Sequence, residues 1–420
     1  MNIDVHKELR RPAKFLKTFF KWGACAVLVG AICGLVGTAF HYAVALATSA
    51  FRAHGWLLYL LPIAGLLIAL GYHLCHLDQD PGTNLVIRSI RTPEKTRLVI
   101  APLIFVGTAL THLCGGSSGR EGAALQIGGS LGTALGQLFR FEEKDLHVMT
   151  MCGMAALFSA LFGTPVTAAV FSLEVISVGV LYYSAFLPCV IAALVACKIA
   201  ALLGVEETSF ILSFVPSVGP MVLLKVIVLA LAAAMCSILF IHTVHSAHKL
   251  YDRFLPNPFL RIAVGGALVV LLTLAVQTRD YNGAGMDVIV RALGGQARPW
   301  DFALKILFTA LTLGCGFKGG EIVPTFFIGS TLGCVIGTVL GMDPGFAAAI
   351  GLICLFCGVV NCPMASLLLA MELFGSSGLP LFAAGVAVSY VMSGYYSLYT
   401  GQKIVYSKTA AEYIGRDTKQ

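Results

Sequence analysis

Charge is what this chain has least of. Lys, Arg, Asp and Glu make up 12% of its 420 residues, against about 25% in soluble domains, which excludes an ordinary water-soluble globule. Long polar stretches are missing as well. The polar breaks fall near residues 77–98, 140–148, 203–219, 242–262, 278–303 and 403–420. None is long enough for an independent domain, so no CBS or other soluble module is expected. Thirteen cysteines are scattered, mostly through apolar stretches. The single CxxC pair, Cys354 and Cys357, lies inside the run Gly351 to Val360 with no second pair nearby, which argues against a metal or redox site. No Ser/His pair or metal constellation stands where an intramembrane enzyme would need one. No enzymatic activity, cofactor or metal is expected. The net charge of +7 does not point to nucleic acid, because the basic residues flank apolar runs, where membrane topology accounts for them.

What the chain has instead is apolar sequence. With 58% hydrophobic residues it can supply roughly a dozen spans of about 20 residues each. Lys7, Arg10, Arg11, Lys14, Lys17 and Lys21 precede the first run, Trp22 to Leu46, which is too long for a signal-peptide core. It reads as a retained span with the basic N-terminus in the cytoplasm. A second run, Trp56 to Leu77, returns the chain to the same side, where Arg88, Arg91, Lys95 and Arg97 follow. The tail, with Lys403, Lys408, Arg416 and Lys419, also reads as cytoplasmic. The expectation is a multi-pass protein of a bacterial cell (inner) membrane, in contact with lipid, with both termini cytoplasmic. His242, His245 and His248 recur every three residues near the end of a span, as an interfacial turn would place them.

The segments around Gly115 to Phe139, Leu146 to Gly179 and Gly314 to Phe374 are short and broken by Gly and Pro. Broken helices at membrane depth line sites, because bare backbone is tolerated there only where protein or water satisfies it. The two halves also repeat. Gly163 to Glu174 (GTPVTAAVFSLE) matches Asn361 to Glu372 (NCPMASLLLAME), pairing Pro165 with Pro363 and Glu174 with Glu372. Upstream, Gly132 and Gly136 pair with Gly333 and Gly337. Two blocks in one order indicate an internally duplicated transporter with its site at the repeat interface. The expected divisions are a basic N-terminus 1–21, a first transmembrane repeat 22–203, a second 219–400, and a C-terminal segment and tail 401–420.

The candidate site begins at GGSSGREGAALQIGGSLG, Gly115 to Gly132, where a Gly/Ser loop runs into an apolar helix. Such a helix start presents N–H groups without intrahelical partners and about half a positive charge, so an anion can be held there without a full countercharge. Glu121 stands at that start. A carboxylate at membrane depth costs several kcal/mol, so it must be protonated, paired or functional. Ionised, it can occupy the anion site itself; protonated, it can leave. A salt bridge to Arg120 or a plain helix cap is the alternative. GCGFKGGEIVPTFFIGSTLG, Gly314 to Gly333, repeats the design with Glu321 and Pro324. PGTNLVI, Pro81 to Ile87, is a third Gly-containing loop entering a helix, with Thr83 and Asn84 as donors or as an ordinary N-cap. Glu174 and Glu372 read as hydrogen-bonding groups at helix ends, and His112 and Lys318 as local ion-pair or topology residues.

GREG after a Gly/Ser loop, GGExxP about 200 residues later and GQKIVYS near the C-terminus, Gly401 to Ser407, occur in the order of the CLC family, and the chain resembles that family over nearly its whole length. The resemblance implies an all-α membrane fold, a CLC-type inverted repeat of tilted, broken and re-entrant helices, and a homodimer with one pore per subunit. It implies that Glu121 matches the external gating glutamate, that Tyr406 matches the central tyrosine of a pore-approaching C-terminal segment, and that the Thr83 loop matches the one supplying the central serine.

Ala123 where proline is usual, Thr83 and Asn84 in place of serine and glycine, and Glu321 at a normally apolar position are similar to the fluoride branch. Val175 stands where chloride/proton exchangers carry an internal proton-transfer glutamate, which turns attention to Glu321 as an alternative route. The function so implied is a fluoride/proton antiporter exporting cytoplasmic fluoride. A chloride channel or chloride/proton exchanger on the same scaffold is the alternative. Glu121 and Glu321 are the expected gating and proton-coupling pair. Thr83, Asn84, Gly119, Arg120, Gly122, Ile322, Val323 and Tyr406 are the expected anion-binding set.

Overall fold

The computed structural model describes residues 5–94 and 96–419, with side chains from Phe15 onward. The side chains of Lys7, Arg10, Arg11 and Lys14, and all of Lys95, lie outside the described residues. The first half runs through α1 (Val5–Ala53), α2 (Leu61–Leu74), the short α3 (Thr83–Ser89), α4 (Ile100–Leu113), α5 (Glu121–Leu138), α6 (Glu143–Phe162), α7 (Pro165–Glu174) and α8 (Phe186–Leu202). The second runs through α9 (Pro220–Phe254), α10 (Pro258–Val276), α11 (Met286–Leu293), α12 (Asp301–Gly314), α13 (Ile322–Val339), α14 (Pro344–Val360), α15 (Pro363–Phe374) and α16 (Leu379–Met392).

The sequence dictates many of these boundaries. Proline opens α7, α9, α10, α14 and α15, where its missing N–H costs nothing. Asn257 and Asp343 cap α10 and α14, accepting from Phe259 N at 2.9 Å and Phe346 N at 2.8 Å. α6 and α14 end alike, in a left-handed residue, Gly163 (φ 68°) or Asn361 (φ 58°), followed two positions later by the proline of the next helix. This shared punctuation is what the GTP and NCP blocks of the repeat encode.

Among the described residues, seven helical stretches are long and apolar enough to cross a membrane, by length and composition, and five shorter apolar helices run 10–17 residues. In α1, α2, α8, α9 and α10 only 33–44% of the apolar window is buried, against 89% in α6 and 78% in α13. The first group forms the outer ring and the second the core. α5 crosses α6 and α13 crosses α14 with small residues at the contact, the usual means of bringing membrane helices together. A Cβ on Gly153 would lie 1.9 Å from Gly128 O, and one on Gly351 would lie 2.3 Å from Gly329 O.

Glu174 and Glu372 behave as their position at helix ends suggests. Glu174 accepts from Met364 N and Ala365 N at the start of α15 (3.1 and 2.8 Å), and Glu372 accepts from Val166 N and Thr167 N at the start of α7 (both 2.9 Å). Each carboxylate closes the other repeat's helix. The expected all-α membrane fold holds, with one small addition. The C-terminal segment forms β2 (Lys403–Tyr406) and β3 (Tyr413–Asp417), antiparallel to each other, and β2 pairs in parallel with β1 (Ser177–Val178). This small sheet ties the chain end to the residues following α7.

Replacing Gly153 by Ala is expected to force α5 and α6 apart, at an overpacking cost of about 1–3 kcal/mol. Thermal unfolding in detergent, compared with Gly23→Ala, where a Cβ meets nothing within 4 Å, checks this. Equal stability of the two variants would contradict the close crossing.

Candidate functional site

The loops that enter α5 and α13 are pinned together by a two-glycine bridge. Gly119 N donates to Gly320 O at 2.7 Å and Gly320 N to Gly119 O at 2.8 Å. Only glycine permits this approach, since a Cβ on Gly320 would sit 2.4 Å from Gly122 N. The bridge aims two helix N-termini, one from each half of the chain, at the same buried volume.

Glu121 stands there, 0% exposed. Its Oε2 accepts from Val323 N at 3.2 Å, so the first carboxylate of α5 reaches across to cap α13. Oε1 has no partner among the described residues. Glu321 is the N-cap residue of α13. Its carbonyl accepts from Thr325 Oγ1 at 2.8 Å, while its enclosed Oε2 has no partner among the described residues. The two carboxylates and the Tyr399 hydroxyl lie within electrostatic range of one another.

Several expected residues are held elsewhere. Tyr406 lies at the end of β2, 48% exposed and edge-on to Tyr413 at 6.0 Å, because the register shift between Ile404 and Tyr406 breaks the alternation that would set it on the face of the buried Ile404. The tyrosine brought to the carboxylates is Tyr399, 1% exposed, with its hydroxyl unpartnered among the described residues. This corrects the assignment of Tyr406. The Arg120 guanidinium points away from the helix start, bonding His41 Nδ1 at 2.9 Å and Leu161 O at 3.0 Å and lying 5.7 Å from the Phe162 ring centre. Only its backbone belongs to the cluster, and the salt bridge to Glu121 gives way to this arrangement. Asn84 Oδ1 accepts from Gly401 N at 2.9 Å, so this side chain anchors the C-terminal segment.

Thr83, Gly119, Gly122, Ile322 and Val323 do converge. Thr83 Oγ1 donates to Gly122 O at 3.3 Å and accepts from Gln126 Nε2 at 3.2 Å. Gln126 was not legible as a site residue, although it lies little more than one turn beyond Glu121. It is 4% exposed, and its Oε1 lacks a partner among the described residues. Ser118, fully buried, has an Oγ without a partner among the described residues and packs where a Cβ on Gly319 would come within 2.4 Å. Its place inside the Gly/Ser loop was the available signal. Glu121 Oε1, Glu321 Oε2, Tyr399 Oη, Ser118 Oγ and Gln126 Oε1 are thus enclosed polar atoms left over by the protein's own bonding. Buried polar groups are normally satisfied, so such a concentration marks a place for an exogenous ligand.

Glu121 is also the floor of a cavity of about 520 Å³ whose walls include Thr48, Arg52, His112, Arg120, Phe162 and Arg279. A second cavity of about 520 Å³ lies beside Ile90, Arg91, Tyr182 and Lys403. They belong to opposite ends of α1. Lys21 pairs with Asp145 at the start of α6 (2.5 Å) and Arg52 pairs with Asp287 (2.6 Å), and the helix between them is roughly 45 Å long.

Comparison with known proteins agrees with this geometry. A family model described as "Voltage gated chloride channel" matches residues 71–394. A "Chloride/fluoride channel protein" of Pseudomonas syringae pv. tomato is 36% identical over 410 residues, covering 96% of this chain and 91% of that protein. The crystal structure of a CLC-type fluoride/proton antiporter superposes with a TM-score of 0.88 at 33% identity, covering 92% of this chain and 98% of that one. The crystal structure of a slow cyanobacterial Cl-/H+ antiporter gives 0.75 at 19% identity, covering 89% and 94%, which speaks for the fold alone. With a family match over most of its length and a relative above 30% identity, this chain belongs to the voltage-gated chloride channel family, the CLC membrane proteins.

Proposed function

We propose that this protein is a fluoride/proton antiporter, not an enzyme, which exports cytoplasmic fluoride in exchange for protons. The observation that carries the reading is the Glu121 carboxylate seated on Val323 N–H at the start of α13, with a second carboxylate, Glu321, and the Tyr399 hydroxyl beside it. A helix N-terminus favours negative charge, so carboxylate and anion compete for it. Protonation of Glu121 removes its claim on those N–H groups and lets fluoride take them. When fluoride departs, the deprotonated carboxylate returns, and one proton has moved against one anion.

Fluoride is small and strongly hydrated, so a site that takes it must replace more hydration than a chloride site does. Backbone N–H groups of α5 and α13 and the Tyr399 hydroxyl are available, and a protonated Glu321 would add an O–H donor. Thr83 spends its hydroxyl proton on Gly122 O and contributes through the loop it holds. Val175 offers no carboxylate, so Glu321 is the ionisable group left to accept the proton from Glu121 on its way inward. The names of the Pseudomonas relative and of the antiporter structure support this reading.

The same proposal includes a homodimer in a bacterial inner membrane, surrounded by lipid, with cytoplasmic termini and repeats at 22–203 and 219–400. The cavity above Glu121 then opens outside the cell and the one beside Lys403 inside.

Proteoliposomes loaded with fluoride or chloride, with external pH recorded, should give fluoride efflux coupled to proton uptake, with chloride slower. Glu121→Gln should abolish or uncouple it. Chloride efflux equal to fluoride would place the protein among chloride channels or chloride/proton exchangers. Tyr399→Phe should weaken fluoride binding about tenfold, in line with about 1.5–3 kcal/mol for a hydrogen bond to a charged group, whereas Tyr406→Phe should leave it within about twofold. Calorimetric titration of both variants with fluoride measures this, and the reverse order would restore Tyr406 to the site.

A further inference from the structure

His112 is left over by the mechanism above, and its placement is unusual. It sits in the last turn of α4, 2% exposed, seven residues before Gly119. Nε2 lies 3.4 Å from Gly119 O, the same carbonyl that accepts from Gly320 N in the two-glycine bridge. A carbonyl only accepts, so Nε2 carries the hydrogen and Nδ1 presents a lone pair. Nδ1 is enclosed and has no partner among the described residues. It faces the loop at Gly283, where a Cβ would lie 4.0 Å away, and both Gly283 and His112 belong to the wall of the cavity whose floor is Glu121. The neutral ring therefore holds one proton acceptor without a partner among the described residues, on a side chain that lines the same cavity as Glu121.

The charged surroundings come from several elements. Arg120 at the start of α5 and Lys305 on α12 are the cations that act on the ring. Lys305 Nζ donates to Tyr281 O at 3.1 Å and Gly283 O at 2.7 Å, which fixes the loop opposite Nδ1. Asn282 Nδ2 donates to Gly115 O at 2.7 Å and Gly283 N to Gly116 O at 3.1 Å, joining that loop to the one leading into Glu121. Glu121, Asp280, Asp287, Arg52 and Arg279 line the same cavity. The ring and the carboxylate are held on one rigid frame.

We propose that His112 is the outer proton relay of this transporter, passing protons between the cavity and Glu121. The step balances without any co-reactant. Nδ1 takes a proton from water or buffer in the cavity, giving an imidazolium with hydrogen on both nitrogens. That proton then leaves Nδ1 through a cavity water to the Glu121 carboxylate, and the ring returns to its Nε2–H tautomer. Histidine suits the task because one ring nitrogen accepts a proton while the other donates one. This inference rests on the antiporter reading.

The test is fluoride efflux from proteoliposomes under a fluoride gradient at equal pH on both sides, from about pH 5 to about pH 8. Three proteins are compared: wild type, His112→Gln, which keeps an N–H for Gly119 O, and His112→Ala. Wild-type coupling of fluoride to protons tests the antiporter reading separately. If it holds, His112→Gln should bind fluoride as wild type does but turn over at least about tenfold more slowly, with a flattened pH profile. Imidazole on both sides should restore the rate of His112→Ala, where it can occupy the vacated space, and not that of His112→Gln. Wild-type turnover and pH profile in His112→Gln would overturn the proposal. So would equal slowing of both variants with no response to imidazole, which would leave His112 as a support for the Gly119 loop.

Discussion

Two helix N-termini aimed at each other inside a membrane protein are the constraint on which the rest depends. Each brings unpaired N–H groups and a partial positive charge into a region with little water to screen them. Negative charge must be supplied, either by a side chain or by a bound anion. Glu121 meets the requirement from within, capping α13 from the start of α5. In the proposed cycle an anion takes that place in turn. The Gly119–Gly320 bridge holds the two helix starts close enough for the Glu121 carboxylate to reach from one to the other.

Holding that bridge takes most of the molecule. α6 and α14 lie almost wholly inside, against glycine faces of α5 and α13 where backbones nearly touch. Glu174 and Glu372 join α7 to α15 by capping each other's helix, so the halves are tied at a second place by carboxylate-to-backbone bonds. Glu121, Glu174 and Glu372 are thus used at helix ends, where backbone N–H groups meet them without a cation. Arg120 and Lys305 show the complementary arrangement, cations held by carbonyl oxygens, with a ring nitrogen completing the Arg120 set.

The C-terminal segment closes the site from the other side. Gln402, fully buried, donates to Val175 O at 3.0 Å and Val360 O at 2.9 Å, and Lys408 reaches Asn361 Oδ1 at 2.5 Å. These bonds, with Asn84 on Gly401 N, fix where the chain turns from buried loop into exposed strand. Tyr399 precedes that turn and Tyr406 follows it.

The membrane class, the broken helices, the paired Pro and Glu blocks and the two carboxylates at helix starts were all readable from the sequence, because each depends on local rules. Low charge leaves no soluble surface, proline opens helices, and a carboxylate among apolar residues demands a reason. Which tyrosine faces the carboxylates, where the Arg120 and Asn84 side chains go, and that Ser118 and Gln126 join the cluster were decided only by tertiary structure. Those outcomes depend on bonds between residues far apart in the chain, Asn84 with Gly401 and Arg120 with His41. A motif that places Tyr399 and Tyr406 seven positions apart is equally compatible with either one inside until those bonds fix the turn between them.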